Sequence, residues 1–256
     1  MQKIVQFRNI WSLFKKRVRK KGKKTIILFL WKDLKHPFAG GGIQYSFKQA
    51  EHWNKEGYQT IFLTPRFKGS SFHEIINGSD VFRFGGKFSN YIFLPLLYIF
   101  FFKRITDYIV DIENGIPYFS SIFSAKPKIL LTYHLQKEVL FKELPAYIAW
   151  FPYLLEVYVM PFVYYNTKVV TISKNTKEEL IGIGFRKKNI TISYCGFDIN
   201  KNKFKSKYKK PTILYLGRIE KYKRVSLLIS LFERLNFKDS ELIIAGSGRD
   251  LENVKK

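Results

Sequence analysis

Cysteine is almost absent from the sequence. Cys195 is the single cysteine among 256 residues, so an internal disulfide is excluded. No cleavage pattern of charged, apolar and small residues opens the chain, which argues against a secretory signal peptide. Both absences predict a protein of the reducing cytoplasm. Because 46% of the residues are hydrophobic, the chain can bury a large core, and disorder over most of its length is excluded.

Acidic residues are also scarce. The chain has 20 Asp and Glu against 45 Lys and Arg, which gives a formal net charge of +25. The electrostatic field of this net charge attracts nucleic acid, anionic lipid head groups or phosphorylated small molecules. The charge alone does not show which of these the protein binds.

Part of this charge lies at the start of the chain. Residues 1–24 contain ten Lys or Arg and no acid, and apolar residues recur there at spacings of three and four. As a helix, this segment would place an apolar stripe opposite a cationic face, a pattern suited to an anionic membrane surface. A solvated basic tail is the alternative interpretation.

Long uninterrupted apolar runs are missing. The aromatic-rich run Tyr91–Phe102 is shorter than the roughly 20 residues that a spanning helix needs. The run Leu144–Tyr165 has the length, but it contains three prolines and Glu156, which argues against a straight transmembrane helix. Both runs are predicted to be buried helices or loops. Partial dipping into a bilayer is the less favoured alternative.

Strand-sized apolar segments alternate with helical patterns over residues 25–199. This order predicts a doubly wound, Rossmann-like α/β domain with a mainly parallel sheet. The predicted strands are Thr25–Leu30, Tyr58–Thr64, Tyr108–Ile112, Ile129–Tyr133, Lys168–Ile172 and Asn189–Tyr194, and the predicted helices are Tyr45–Lys55 and Thr176–Ile183.

A lysine-rich stretch over residues 200–211 predicts a hinge between domains. After it, the strand Thr212–Leu216, the helix Ser226–Leu235 and the strand Glu241–Ala245 predict a second domain over residues 212–256. Two strands cannot cover the faces of a sheet, so we expect this domain to be incomplete and the chain to be truncated within it.

Two loops carry residues suited to binding phosphate. Gly40, Gly41 and Gly42 follow the first strand, where backbone N–H groups can approach an anion at a helix N-terminus. A tight turn is the other interpretation of these glycines. In the second loop, Arg218 and Lys223 follow a strand and could clamp a leaving diphosphate, unless the loop is only a solvated basic turn.

His134 and Cys195 are the remaining candidates with reactive side chains. His134 follows a predicted strand, at the edge where open parallel sheets bind ligands. A lone histidine is more often structural, so its position alone does not assign a role. Cys195 is predicted to be a small buried residue and not a nucleophile.

These motifs together resemble glycosyltransferase family 4, and the resemblance runs from about Ile26 to the last residue. It rests on Trp31-Lys32-Asp33 and His36-Pro37 before Gly40-Gly41, on Asp111–Pro117, on Thr171–Lys174 with Leu180 and Gly184, and on Gly217-Arg218 with Lys223.

The resemblance implies a GT-B fold of two facing Rossmann-like domains with a nucleotide-sugar donor between them. It implies hexose transfer with retained configuration, without a metal or other cofactor, to a glycan or lipid acceptor at the cytoplasmic face of a membrane. It matches Gly41 and Gly42 to the loop near the donor phosphates, Arg218 and Lys223 to the diphosphate clamp, His134 to a catalytic histidine facing the sugar, and Gly246 and Gly248 to glycines of the nucleotide domain.

The sequence departs from the family pattern at three points. Ile43 replaces an acidic residue that often follows the glycine pair, and Cys195 stands before Gly196 where relatives have asparagine. The pair of glutamates that binds the donor's sugar and ribose has no counterpart. We therefore expect this chain to bind a nucleoside diphosphate weakly and to transfer no sugar by itself.

Two other functions compete with this interpretation. One is a catalytically inactive, basic protein that binds membranes or nucleic acid, which steep salt dependence and indifference to nucleotide sugars would reveal. Nucleic acid is the less expected of these partners. The other is a nicotinamide oxidoreductase, which is disfavoured because neither glycine loop completes G-x-G-x-x-G.

Overall fold

The structure is a computed structural model, and it describes residues 22–113, 115–196, 208–235 and 239–255. The predicted amphipathic segment 1–24 and the predicted hinge 200–211 therefore fall largely outside the described residues. The chain divides into two compact units, Met1–Phe197 and Asp198–Lys256, and each is described by itself.

The first unit is built on an eight-stranded sheet in the order β3-β4-β2-β1-β5-β6-β7-β8. All neighbouring strands are parallel except β3 and β4, which form an antiparallel hairpin at one edge. The strands are β1 Thr25–Phe29, β2 Gln59–Thr64, β3 His73–Ile76, β4 Ser79–Arg83, β5 Tyr108–Glu113, β6 Lys128–Thr132, β7 Lys168–Thr171 and β8 Ile190–Ile192. The predicted α/β class and the six predicted strands are confirmed.

The hairpin β3–β4 was not predicted. Its turn is Asn77-Gly78, and both residues have positive φ, 49° and 79°, as a two-residue hairpin turn of this kind requires. Asn-Gly is the strongest short-range signal for a hairpin, so this hairpin could have been predicted from the sequence.

Helices cover both faces of the sheet. The first unit contains α1 Gly41–Lys55, α2 Asn90–Phe102, α3 Ser120–Phe123, α4 Val139–Glu143, α5 Ala146–Val163 and α6 Lys174–Gly182. Helix α1 packs on the face that carries Ile26 and Leu28, and α2 packs on the opposite face, against Ile27 and Phe29. Central strands buried on both sides explain the apolar runs in the sequence.

Helix α5 corrects the prediction of a buried helix or loop for Leu144–Tyr165. The helix is continuous, yet only 22% of it is buried. Pro145 is the N-cap, where a missing N–H group costs no hydrogen bond, and a π-helical turn at Leu155–Val159 follows Pro152. Among the described residues, α5 is the single helix long and apolar enough to cross a membrane by length and composition.

Over residues 208–235 and 239–255, the second unit contains two parallel strands, β9 Thr212–Leu216 and β10 Glu241–Ala245. Two helices accompany them, α7 Val225–Leu235 and α8 Leu251–Val254. The predicted order of strand, basic loop, helix and strand is confirmed over the described residues.

Candidate functional site

The candidate site of the first unit lies at the carboxyl ends of its parallel strands. The sheet order reverses between β1 and β5, so the loops that follow these two strands diverge to opposite faces and leave a crevice, where open α/β sheets bind ligands. The glycine loop follows β1, the loop Gly115–Pro117 follows β5, and His134 follows β6.

A buried ion pair fixes the loop after β1. Asp33 and Arg83 are both fully buried, and Arg83 Nε donates to Asp33 Oδ2 at 2.6 Å. The other carboxylate oxygen of Asp33 accepts the backbone N–H of Lys35 at 2.8 Å. Arg83 also donates to Glu74 at 3.1 Å. Because a buried charge is stable only when paired, this network anchors the loop to β4.

Helix α1 begins earlier than predicted, and this moves the glycines. Gly40 is its N-cap, and Gly41 and Gly42 are its first two residues instead of loop residues. No acidic side chain lies in the first turn, and a Cβ at Gly40 or Gly41 would meet nothing within 4 Å. The N-terminus of α1 is thus open and carries the positive end of a 15-residue helix.

The buried ring of Tyr133 lies beneath the start of α1, against Gly42. Its hydroxyl hydrogen-bonds with Ser46, and its backbone carbonyl accepts the hydroxyl of Thr176 at 3.2 Å. Burial raises the pKa of the Tyr133 phenol. This residue joins β6 to α1 and α6, and sequence reasoning had missed it.

His134 is exposed at the end of β6. Its Nε2 lies 2.6 Å from the side-chain amide nitrogen of Gln136. Since an amide nitrogen can only donate, His134 Nε2 is the acceptor in this contact. The exposed ring lies at the same edge of the sheet as the N-terminus of α1.

Two buried carboxyl groups lie beside this edge. Glu113 ends β5 and Glu156 lies on α5, and both are fully buried. Glu113 accepts the N–H of Gly115, while its Oε2 has no hydrogen-bond partner among the described residues. Burial raises the pKa of Glu113 well above its ordinary value, and the charge of Glu156 raises it further.

The second carboxyl group has better partners. Glu156 accepts the backbone N–H of Gln136 at 2.6 Å and that of Lys137 at 2.7 Å. Burial raises the pKa of Glu156, and these two hydrogen bonds oppose the rise. Glu156 therefore holds the loop just after His134 in place. Sequence reasoning had noted it only as a charge that interrupts an apolar run.

In the second unit, Arg218 and Lys223 meet around Tyr222. Arg218 Nη2 donates to the hydroxyl of Tyr222 at 3.2 Å, and Lys223 Nζ lies 5.2 Å from the centre of the same ring. Both cations are exposed and follow the carboxyl end of β9. The structure thus brings the predicted pair together, and Tyr222 is the organising residue that sequence reasoning had missed.

Gly246 and Gly248 have a structural reason to be glycine. A Cβ at Gly246 would lie 1.8 Å from the carbonyl oxygen of Gly217, and one at Gly248 would lie 1.9 Å from that of Ile219. Close approach of the two loops allows Ile219 N–H to donate to Ser247 O at 2.9 Å. These glycines therefore support the loop that carries Arg218.

Cys195 is exposed, so the prediction of a small buried residue is wrong. It follows the end of β8 in a segment without regular structure. Ile43, the departure beside the glycine pair, is buried in the core under α1. Within the described residues, no group of three or more His, Cys, Asp or Glu side chains could hold a metal ion.

Comparisons with known protein families agree with this architecture. The profile of Glycosyltransferase Family 4 matches residues 39–201, which is more than half of the chain. A second profile, Glycosyl transferases group 1, matches residues 196–256. No curated protein sequence gave a match.

Several solved structures share the fold at low sequence identity. HepE from Anabaena, solved with UDP and glucose, has a TM-score of 0.63 at 14% identity, over 91% of this chain and 64% of HepE. A glycosyltransferase from Rickettsia africae has a TM-score of 0.62 at 13% identity, over 91% of this chain and 63% of its own. The lipopolysaccharide outer core galactosyltransferase WaaB has a TM-score of 0.51 at 13% identity, with the same two coverages. The chain thus spans less than two thirds of the length of these proteins.

Proposed function

The chain belongs to glycosyltransferase family 4, and from this membership we propose that it serves the transfer of a hexose from a nucleotide-diphosphate sugar. The proposed acceptor is a glycan or lipid at the cytoplasmic face of a membrane. The proposed transfer retains the anomeric configuration and requires no metal.

The arrangement of Arg218, Tyr222 and Lys223 carries this proposal. When the bond between sugar and diphosphate breaks, negative charge builds up on the diphosphate. A planar guanidinium and a mobile ammonium at the carboxyl end of a parallel strand suit this group, because charge-assisted hydrogen bonds to phosphate are strong and directional. Tyr222 contacts both cations and holds them on one side of the loop.

Electrostatic stabilisation by fixed cations is the chemistry expected of this loop. Because Tyr222 preorganises the cations before the ligand arrives, little reorganisation is needed when the leaving group becomes charged. Lys221 and Arg224 add positive charge to the same loop, and Glu220, the acid within it, is paired with Arg249 at 2.8 Å.

The first unit supplies groups suited to the sugar and to a second anion. The open N-terminus of α1 offers backbone N–H groups at Gly41 and Gly42, and we assign it to a phosphate of the donor. His134, held through Gln136, is assigned to the reacting sugar. The complexes of HepE with UDP and glucose and with UDP-glucose, and the galactosyltransferase activity named for WaaB, support a nucleotide-sugar donor.

Titration calorimetry with a panel of nucleotides tests the donor class. We expect UDP or another nucleoside diphosphate to bind the chain more tightly than the matching monophosphate, because the second phosphate reaches the Arg218 and Lys223 pair. We expect the binding to be unchanged by a chelator. Equal affinity for mono- and diphosphates, or binding to polynucleotides alone with a steep salt dependence, would contradict the proposal.

A further inference from the structure

Helix α5 has its charge on the inside and its apolar residues on the outside. Its buried face carries Glu156 and Met160, both fully buried. Its outer face consists of apolar and aromatic side chains at helical spacing. The exposed residues along it are Tyr147, Phe151, Leu154, Tyr158 and Phe162, and their exposed fractions range from 45% to 83%.

The arrangement is the reverse of a normal surface helix, which turns its apolar stripe inward and its charges to water. Between Ala146 and Val163 the sequence contains one charged residue, Glu156. Trp150 adds a further exposed aromatic ring beside the stripe. An exposed apolar surface of this extent on a folded unit marks an interaction site.

Helix α2 presents a second apolar stripe of the same kind. Ile92, Leu96 and Phe100 are 65%, 40% and 74% exposed and recur every four residues. Beside them, Phe72 and Phe84 help to line an apolar groove of about 260 Å³. The inner face of α2, with Leu94, Tyr98 and Phe102, is buried in the core.

Both helices cover the same face of the sheet. Phe29 of β1 pairs in register with Asp111 of β5, Asp111 with Leu130 of β6, and Leu130 with Val169 of β7. Side chains of residues paired in this way point to one face of a sheet. Phe29 contacts the core under α2, and Leu130 and Val169 contact Met160 of α5. The two exposed stripes therefore lie on the same side of the first unit.

We propose that α2 and α5 lie together in the interfacial layer of an anionic membrane, without crossing it. Tyr and Trp are the side chains preferred at the boundary between water and hydrocarbon, and α5 exposes Tyr147, Trp150 and Tyr158. The inference concerns a surface apart from the donor loop, and it holds independently of the proposed transfer.

The positive charge beside the two apolar stripes favours an anionic lipid surface as the binding partner of this face. Lys103 and Arg104 directly follow α2, and Lys142 precedes α5; all three are exposed. Arg186 stacks on Tyr165 at 3.7 Å just beyond α5. Cations that border an apolar stripe bind anionic head groups while the stripe enters the acyl boundary. The same charge, as part of the formal +25, opposes pairing with a second copy.

The packing of α5 excludes a transmembrane path in this fold. Met160 and Tyr164 are fully buried against the sheet. Glu156 is hydrogen-bonded to the backbone of Gln136 and Lys137. Moving α5 across a bilayer would remove these contacts and leave a carboxylate in hydrocarbon. The helix therefore binds lipid with its outer face while its inner face stays in the core.

Vesicle flotation with matched variants tests the proposal. The first variant is Phe151→Gln with Phe162→Gln on α5, and the second is Ile92→Gln with Phe100→Gln on α2. The control is Ile75→Gln with Leu227→Gln, which replaces two exposed apolar residues outside both stripes. Each protein is also prepared without residues 1–21, so that the basic N-terminal segment does not mask the result. Circular dichroism and the thermal midpoint verify folding.

On vesicles of phosphatidylcholine and phosphatidylglycerol, we expect each stripe variant to lose about tenfold or more of its partition coefficient, because large apolar side chains no longer enter the interface. The control should bind as the unchanged protein does. Brominated acyl chains should quench part of the tryptophan fluorescence of the unchanged protein. The quenched part should be missing from the fluorescence of Trp150→Phe, because Trp150 is the ring expected to lie in the interface. Equal flotation of the stripe variants and the control would overturn the proposal. A dimer in sedimentation that both stripe variants abolish would overturn it too, since the surface would then be an interface between copies.

Discussion

The ring of Tyr133 occupies the space in which a side chain at Gly42 would stand. A Cβ at Gly42 would lie 2.9 Å from two carbon atoms of that ring, closer than van der Waals contact allows. The same atom at Gly41 would meet nothing within 4 Å. Packing against Tyr133 therefore explains why residue 42 is a glycine. Within the described structure, sterics do not require a glycine at position 41, so Gly41 is the better candidate for close approach of a ligand.

This contrast predicts different effects for two alanine substitutions. Gly42→Ala should force Tyr133 to move and destabilise the first unit by about 1–3 kcal/mol, the usual cost of overpacking a core. Gly41→Ala should leave the thermal midpoint unchanged or slightly raised, because alanine favours a helix more than glycine does. It should still weaken donor binding. Calorimetry of unfolding and nucleotide titration measure the two effects. A loss of stability in Gly41→Ala equal to that in Gly42→Ala would contradict the assignment.

The cation pair in the second unit predicts a loss of diphosphate affinity. Arg218→Ala and Lys223→Ala should each weaken UDP binding by about 10- to 100-fold, since hydrogen bonds to charged groups contribute about 1.5–3 kcal/mol. Lys221→Ala is the matched control, because it removes the same charge from the same loop and should change the affinity less than about threefold. Titration calorimetry measures all three proteins. Equal losses in all three would show that net charge, and not the placement of the pair, binds the nucleotide.

A related prediction concerns sugar transfer. In an extended chain that carries a complete second domain, Arg218→Ala should lower the transfer of radiolabelled hexose to membrane extracts by about 10²- to 10³-fold, the effect of removing one donor that stabilises developing charge. Tyr222→Phe keeps the ring beside Lys223 and removes the hydroxyl that accepts from Arg218, but the guanidinium remains, so it should lower transfer less than Arg218→Ala does. Full incorporation with Arg218→Ala would contradict the assigned role.

The sequence predicted six of the seven parallel strands that the structure describes in the first unit, because these six are short apolar runs rich in β-branched residues. The seventh, β4, pairs in parallel with β2 and was not predicted. Sequence reasoning placed the start of α1 too late, at Tyr45 instead of Gly41, because three glycines argue against a helix by propensity alone. The N-terminus of a helix tolerates them, since its first N–H groups have no partner within the helix.

Other features could not be predicted because they depend on contacts distant in sequence. The apolar pattern of α5 could not show which side faces the core, and nothing in the sequence places its single charge, Glu156, on the buried side. Its partners are backbone N–H groups about 20 residues earlier. The contact of Arg218 with Tyr222 likewise depends on how the loop folds after β9.

The boundary between the units predicts a site of proteolysis. The lysine-rich residues 200–211 lie next to the division at Phe197, and they offer trypsin many cleavage positions. Limited trypsin digestion followed by mass spectrometry should find the first cuts between Asn200 and Lys210. First cuts within residues 168–194, which include β7, α6 and β8, would contradict the predicted boundary.

The buried carboxyl group of Glu113 predicts how the stability of the first unit depends on pH. Burial raises its pKa well above the ordinary value, so the folded state keeps a proton that the unfolded state loses near pH 4.3. The contribution of Glu113 to stability is therefore complete below that pH. It declines as the pH rises toward the folded-state pKa, by at most about 1.4 kcal/mol per pH unit. Burial raises the pKa of Asp111 and Glu156 as well, so these groups act in the same direction.

Glu113→Gln should remove the contribution of this one group, because the amide has nearly the same shape and does not ionise. We expect urea unfolding, followed by tryptophan fluorescence, to show that the free energy of unfolding of the variant rises relative to that of the unchanged protein between pH 5 and pH 8. Glu74→Gln is the control, because the pKa of Glu74 is shifted in the opposite direction to that of Glu113. Lys35 and Arg83 lower the pKa of Glu74, so its contribution is present above about pH 4.3 and is lost as the pH falls through the folded-state pKa. That variant should therefore be less stable than the unchanged protein at both pH 5 and pH 8. Parallel curves of unfolding free energy against pH for Glu113→Gln and the unchanged protein, from pH 5 to pH 8, would contradict the prediction. They would show that Glu113 is ionised in the folded state, and that its Oε2, which has no partner among the described residues, has a hydrogen-bond donor.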